Sequence, residues 1–175
     1  MTDAGRKLWD LRFTVEVAAR YHDWRRGTFG TYVNIVRAVT LGGAVLAFLA
    51  FNITNQHTAL IVNIMTAAIA VVSLFDLVFG FDAIARKHDE LYRRCKDLEA
   101  AIAKRKEGDD VADLESEAKM LWRDEPPIYW AIYAACWNQI ADKYQSGIDF
   151  KKKVGFFKRL VGSFIQFTPQ DFAPA

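Results

Sequence analysis

Residues Ala38–Phe75 read AVTLGGAVLAFLAFNITNQHTALIVNIMTAAIAVVSLF and hold no Asp, Glu, Lys or Arg. A helix that crosses a bilayer needs about 17–25 largely apolar residues, so this stretch is long enough for two crossings. A polar knot, Asn52-Ile-Thr-Asn-Gln-His57, sits near its middle. The pattern predicts a transmembrane hairpin with a first crossing at Tyr32–Phe51, a turn at Asn52–His57 and a second crossing at Thr58–Leu77. Lipid cannot hydrogen-bond the backbone, so both crossings are expected as helices. The rival reading is a buried helical hairpin of a soluble protein. It is disfavoured because a soluble core helix rarely lacks charge on every face. The expected fold class is an all-α membrane protein: a two-helix transmembrane hairpin, a long helical cytoplasmic extension and a small cytoplasmic helical head.

Charge outside this stretch sets the expected topology. The turn carries no Lys or Arg, whereas Arg6, Lys7, Arg12, Arg20, Arg25, Arg26 and Arg37 precede or enter the first crossing, and eight basic residues lie between Arg86 and Lys106. The positive-inside rule then places both termini in the cytoplasm of a multi-pass protein of the bacterial inner (plasma) membrane. The formal net charge of +2 over 175 residues conceals this segregation. The first 30 residues are charged throughout, so no signal peptide is expected. Four regions follow: 1–30, an N-terminal amphipathic cytoplasmic helix; 31–81, the hairpin; 82–147, a cytoplasmic helical region; and 148–175, a basic amphipathic segment.

In the first region Leu8, Leu11, Val15, Ala18 and His22 recur at helical spacing. That helix either lies on the inner leaflet or packs on the later cytoplasmic helices, and Gly27 and Gly30 are expected to loosen the chain after it. Within the hairpin, Gly42, Gly43 and Ala44 are predicted to face Ala67, Ala68 and Ala70, because small residues let membrane helices approach closely. Asn63, Thr66, Ala70, Ser73 and Leu77 share one face of the second crossing. They either form a helix–helix contact or line a polar path through an oligomer. Arg37 and Asp76 fall at similar depth and are predicted to form an intramembrane ion pair.

An a/d register runs on through Ala67, Ala70, Leu74, Leu77, Phe81, Ile84, His88, Leu91, Cys95, Leu98 and Ile102. It predicts one helix from the second crossing to about Lys106, with Gly80 its weak point and a seam suited to helix association. His88 and Cys95 on that seam lack a third ligand, so no metal is expected. Asp109 or Asp110 should cap a short helix from Val111, and a further helix is expected over Ile128–Gln145, starting at Pro126-Pro127 and packing on the heptad helix. Cys95 and Cys136 read as buried packing thiols. In the last segment Lys151, Lys152, Lys153, Lys158 and Arg159 alternate with Phe156 and Phe157, a pattern for binding an anionic membrane surface, with packing on the head or a subunit interface as the alternative. Thr168–Ala175 is expected to be disordered.

No phosphate-binding glycine motif or nucleophile elbow is present, so neither a cofactor nor catalysis is expected. No basic recognition helix suggests nucleic acid. The order "RYHDWRR", two crossings, "DLVFGFDAIARKHDELYRRCKDLEAAI" and "EPPIYWAIYAACWNQIA" resembles the SLATT domain, a two-transmembrane effector module associated with SMODS nucleotidyltransferases and SLOG domains. The likeness covers about Lys7–Tyr144. It implies a pore-forming or membrane-disrupting effector of prokaryotic antiviral defence, a homo-oligomer in the lipid bilayer, triggered by a nucleotide-signalling or sensor partner. The rival function is a membrane-anchored scaffold that recruits a cytoplasmic partner through the head, with Trp130 and Trp137 as its contacts.

Overall fold

A computed structural model describes residues 2–50, 56–144 and 167–168. Among the described residues every regular element is a helix: α1 (Asp3–Ala50), α2 (Gln56–Phe79), α3 (Phe81–Ala103), α4 (Ala112–Arg123) and α5 (Trp130–Lys143). They divide into two compact units. One comprises the residues up to Arg25 with the described residues from His88 onward; the other is Arg26–Lys87.

In the first unit the N-terminal part of α1 is the central rod. Its Leu11, Val15 and Ala18 pack with Leu91, Cys95, Leu98 and Ile102 of α3 and with Leu114, Ala118 and Leu121 of α4. A second stripe, Phe13, Val17 and Tyr21, packs on Ile132, Cys136 and Ala141 of α5. Trp9 stacks on Phe13 at 5.3 Å, and Trp137 meets Phe13 edge-on at 4.7 Å. The expected stripe Leu11–Val15–Ala18–His22 is thus one of two buried faces, and packing on the later helices prevails over the leaflet-surface alternative. Helix α5 packs on α1 in this second cluster, a correction to the expectation that the heptad helix would receive it.

The His88–Ile102 part of the heptad is buried by the chain itself, Leu91, Cys95 and Ile102 completely. That seam is therefore occupied by α1 and α4 of the same chain. Helix α4 starts at Ala112, one residue after the expected Val111; Val111 is its N-cap and makes no side-chain cap bond, while the Asp110 carboxylate accepts from the Ala112 N–H at 3.1 Å. Helix α5 starts only at Trp130, after a non-helical Glu125–Tyr129 segment. Pro126 and Pro127 therefore precede the helix instead of opening it. Phe167 packs on Ala131 and Ala134.

The second unit consists of the C-terminal part of α1, α2 and the start of α3. Helix α1 does not break at Gly27 or Gly30 as expected. A glycine inside a helix costs only about 1 kcal/mol. Phe29 and Val33, both buried, and ring stacking of Phe29 on Phe81 at 5.9 Å hold the chain helical there. The break falls instead at Gly80, whose φ of +60° is a left-handed conformation suited to glycine. The predicted single helix to Lys106 is accordingly two helices, ending at Ala103. Gly80 N–H still donates to the Asp76 carbonyl at 2.9 Å, and Ile84 N–H to the Gly80 carbonyl at 3.1 Å, so the backbone stays satisfied across the joint.

The expected turn lies partly outside the described residues; Gln56 and His57 already belong to α2. Among the described residues two helices are long and apolar enough to cross a membrane, Asp3–Phe48 and His57–Phe79, and almost none of their apolar windows is buried (6% and 0%).

Candidate functional site

Two polar groupings stand out, one in each unit. In the apolar unit, the Thr40 and Ser73 hydroxyls lie 3.0 Å apart across α1 and α2. Gly43 sits against Ile69, whose side chain occupies the space a methyl at Gly43 would need. Such a close approach lets two helices pack where lipid gives no hydrophobic drive to associate. The predicted small-on-small patch is corrected by this contact: a methyl added at Gly42 would touch no described atom, and Ala67, Ala68 and Ala70 are exposed.

The predicted stripe divides. Ser73 is held by Thr40, whereas Asn63, Thr66, Ala70 and Leu77 stay exposed. Arg37 does not pair with Asp76. Its guanidinium donates to Asp82 Oδ1 at 3.3 Å, and Asp82 also pairs with Arg86. Asp76 keeps one shielded oxygen, Oδ1, without a hydrogen-bond partner. Asp82 lies beyond the joint at Gly80, so a count along the second crossing alone does not reach it. Lys151, Lys152, Lys153, Phe156, Phe157, Lys158 and Arg159 lie outside the described residues.

The second grouping was missed at the level of sequence, which placed His22 and His88 on separate helical stripes. In the helical head His22 of α1 and His88 of α3 are fully buried, with their Nδ1 atoms 2.9 Å apart. His22 Nε2 lies 3.0 Å from Glu125 Oε1. A carboxylate only accepts, so His22 Nε2 carries the hydrogen. Around them the Tyr21 hydroxyl accepts from Tyr129 N–H at 3.1 Å, and the Arg25 guanidinium covers the Tyr129 ring at 4.0 Å. Arg94 ties Asp124 to α3 at 3.0 Å. The Asp124–Tyr129 segment is therefore fastened to both α1 and α3.

Burial dominates the electrostatics here. It pulls His88 down to about 3, helped by His22 and Arg25. It pushes the Tyr21 and Tyr133 hydroxyls and the Cys95 thiol up to about 12. Arg25 is lowered for the same reason. Cys95 is thus a protonated, enclosed thiol, poorly suited to nucleophilic work. Two positions could have signalled the cluster: His22 and His88 are polar residues on otherwise apolar helical stripes. A buried polar group needs a partner, and each supplies it for the other.

Among the described residues no group of three or more His, Cys, Asp or Glu side chains is placed to hold a metal ion. In comparisons with protein-family models, curated proteins and solved structures, none matched this chain.

Proposed function

We propose that the chain is a two-span protein of the bacterial inner membrane and acts as an oligomeric effector, forming or widening a path for ions in antiviral defence. The observation that carries the membrane reading is where apolar side chains are exposed. Among the described residues, eighteen of the twenty exposed large apolar ones lie between Tyr32 and Phe79, on α1 and α2. Soluble monomers rarely expose a contiguous apolar patch beyond a few hundred Å². The basic residues flanking both spans support a cytoplasmic location for both ends. The defence role and an oligomer triggered by a nucleotide or sensor partner rest on the resemblance in layout to SLATT effectors.

In this proposal Asn63 and Thr66 line the path, because they are polar side chains on a lipid-length helix and are exposed among the described residues. Polar residues within spans usually face a partner or water. The test is current recording from the purified full chain in planar bilayers, with depolarisation of induced cells in parallel. Stepwise current from the wild type that falls at least several-fold in Asn63→Leu and Thr66→Leu, with unchanged expression, is the expected result. Current indifferent to both changes would reject the lining, and the absence of any current would reject the path. In that case the scaffold reading gains ground. Its docking residues would be Met120 and Trp122, exposed on α4, because Trp130 and Trp137 are partly buried in the head.

A further inference from the structure

Between Arg37 and Asp82 the only Asp, Glu, Lys or Arg is Asp76. It stands on α2, three residues on from Ser73 and on the half of the helix that also bears Thr66. A carboxylate within a lipid-length helix is costly, and such a residue usually faces a partner or a water-filled path. The obvious partner is engaged elsewhere. Three residues nearer Gly80 than the Thr40–Ser73 contact come Arg37 on α1 and Asp76 on α2, yet Arg37 donates to Asp82 at 3.3 Å. Arg86 pairs with the same Asp82. Asp76 is left with Oδ1 shielded and without a hydrogen-bond partner among the described residues, while the residue as a whole is partly exposed.

We propose that Asp76 makes the path through the membrane selective for alkali cations, its carboxylate standing at the Gly80 end of the lining face. This inference rests on the proposed path and names what passes along it. Asn63 and Thr66 offer uncharged polar groups, which serve an ion of either sign. Asp76 alone gives the lining a charge. In an oligomer each copy adds one such carboxylate, the arrangement by which acidic rings admit cations and repel anions. Arg37 and Arg86 oppose this effect, but Asp82 engages both, so these three groups together carry one net positive charge. At contact distance in a partly wetted site, the attraction of opposite unit charges corresponds to about tenfold or more in occupancy.

The experiment is reversal-potential recording from the purified full chain in planar bilayers under a KCl gradient. A reversal potential reports which ion carries the current, and it does not depend on how many paths form. Weaker assembly of a variant therefore does not imitate the effect. In the wild type K+ should permeate in preference to Cl− by about tenfold or more. Asp76→Asn should bring the two ions to near parity, Asp76→Lys should invert the preference, and Asp76→Glu should keep it.

Current without a cation preference, or with an anion preference set by Arg37 and Arg86, would overturn this inference and leave the path standing. So would a preference that survives in Asp76→Asn. No current from the wild type would overturn the path and this inference together. If the Asp76 variants carry no current, the wild type decides through salt. A fixed, partly exposed charge is screened as the Debye length shortens from about 10 Å at ~0.1 M to about 3 Å at ~1 M. A K+ preference that shrinks over that range supports Asp76, the only acid between Arg37 and Asp82, and one that stays constant overturns it.

Discussion

The two units dispose of apolar surface in opposite ways, and α1 contributes to both. Between Leu11 and Tyr21 its apolar residues are covered by α3, α4 and α5. Between Ile35 and Phe48 its large apolar residues are exposed, Leu41 at 69% and Phe48 at 76%. One helix therefore serves as the core of a small bundle and as an element that the other described residues leave uncovered. Hydrophobicity alone does not separate these roles. What separates them is charge: Arg12, Glu16, Arg20 and Asp23 punctuate the first part, and no charge follows Arg37 in the second.

The sharpest way to break this comparison is to remove apolar volume from the head. Leu98→Ala deletes a side chain that is 1% exposed and should cost about 2–5 kcal/mol in denaturant unfolding of the full chain in detergent. A loss under 1 kcal/mol would mean that the α1–α3 seam is not a packed core.

Next comes Ile64→Lys on α2, where Ile64 is 61% exposed. On the surface of a soluble bundle the change would be nearly neutral. In a span it should cost about 2.5–3.5 kcal/mol of insertion, read from the membrane-integrated fraction after alkaline extraction. Full integration of the variant would contradict the membrane reading.

A smaller effect is expected at Gly43→Val. The added methyls meet Ile69, and overpacking of this kind costs about 1–3 kcal/mol. Gly42→Val faces open space and should behave as wild type. Crosslinking yield between cysteines placed at Thr40 and Ser73 would separate the two variants.

The smallest effect belongs to the ion pair. Arg37 and Asp82 are 62% and 37% exposed, and such pairs contribute about 0–1 kcal/mol. Arg37→Asp should lower thermal stability slightly, and adding Asp82→Arg should recover it. Recovery with Asp76→Arg instead would restore the pairing inferred from sequence.

These particulars show how much was legible beforehand. The apolar stripes were readable because helical period places Leu91, Cys95, Leu98 and Ile102 on one face whatever covers them. What covers them was not readable: a heptad suits another copy and the chain's own α1 equally well. The second buried face of α1 escaped notice because Phe13, Val17 and Tyr21 lie among charges, and only the Leu8–His22 stripe was read as apolar. The histidine pair escaped because its members are 66 positions apart, and no local pattern joins them. Gly80 was recognised as the weak point of its helix, yet only the backbone shows that it adopts a positive φ and resets the register between Asp76 and Asp82.

Composition and periodicity by themselves determined that this protein is helical, that two lengths of it carry no charge, and where its polar and apolar faces lie. These are local properties, set by side-chain transfer free energies and the 3.6-residue turn. The tertiary structure alone decided which faces meet: α1 against three other helices, His22 against His88, Ser73 against Thr40, and Arg37 against Asp82. Partner choice depends on helix ends, bends and packing volumes acting over long separations, and those have no signature in a short window of sequence.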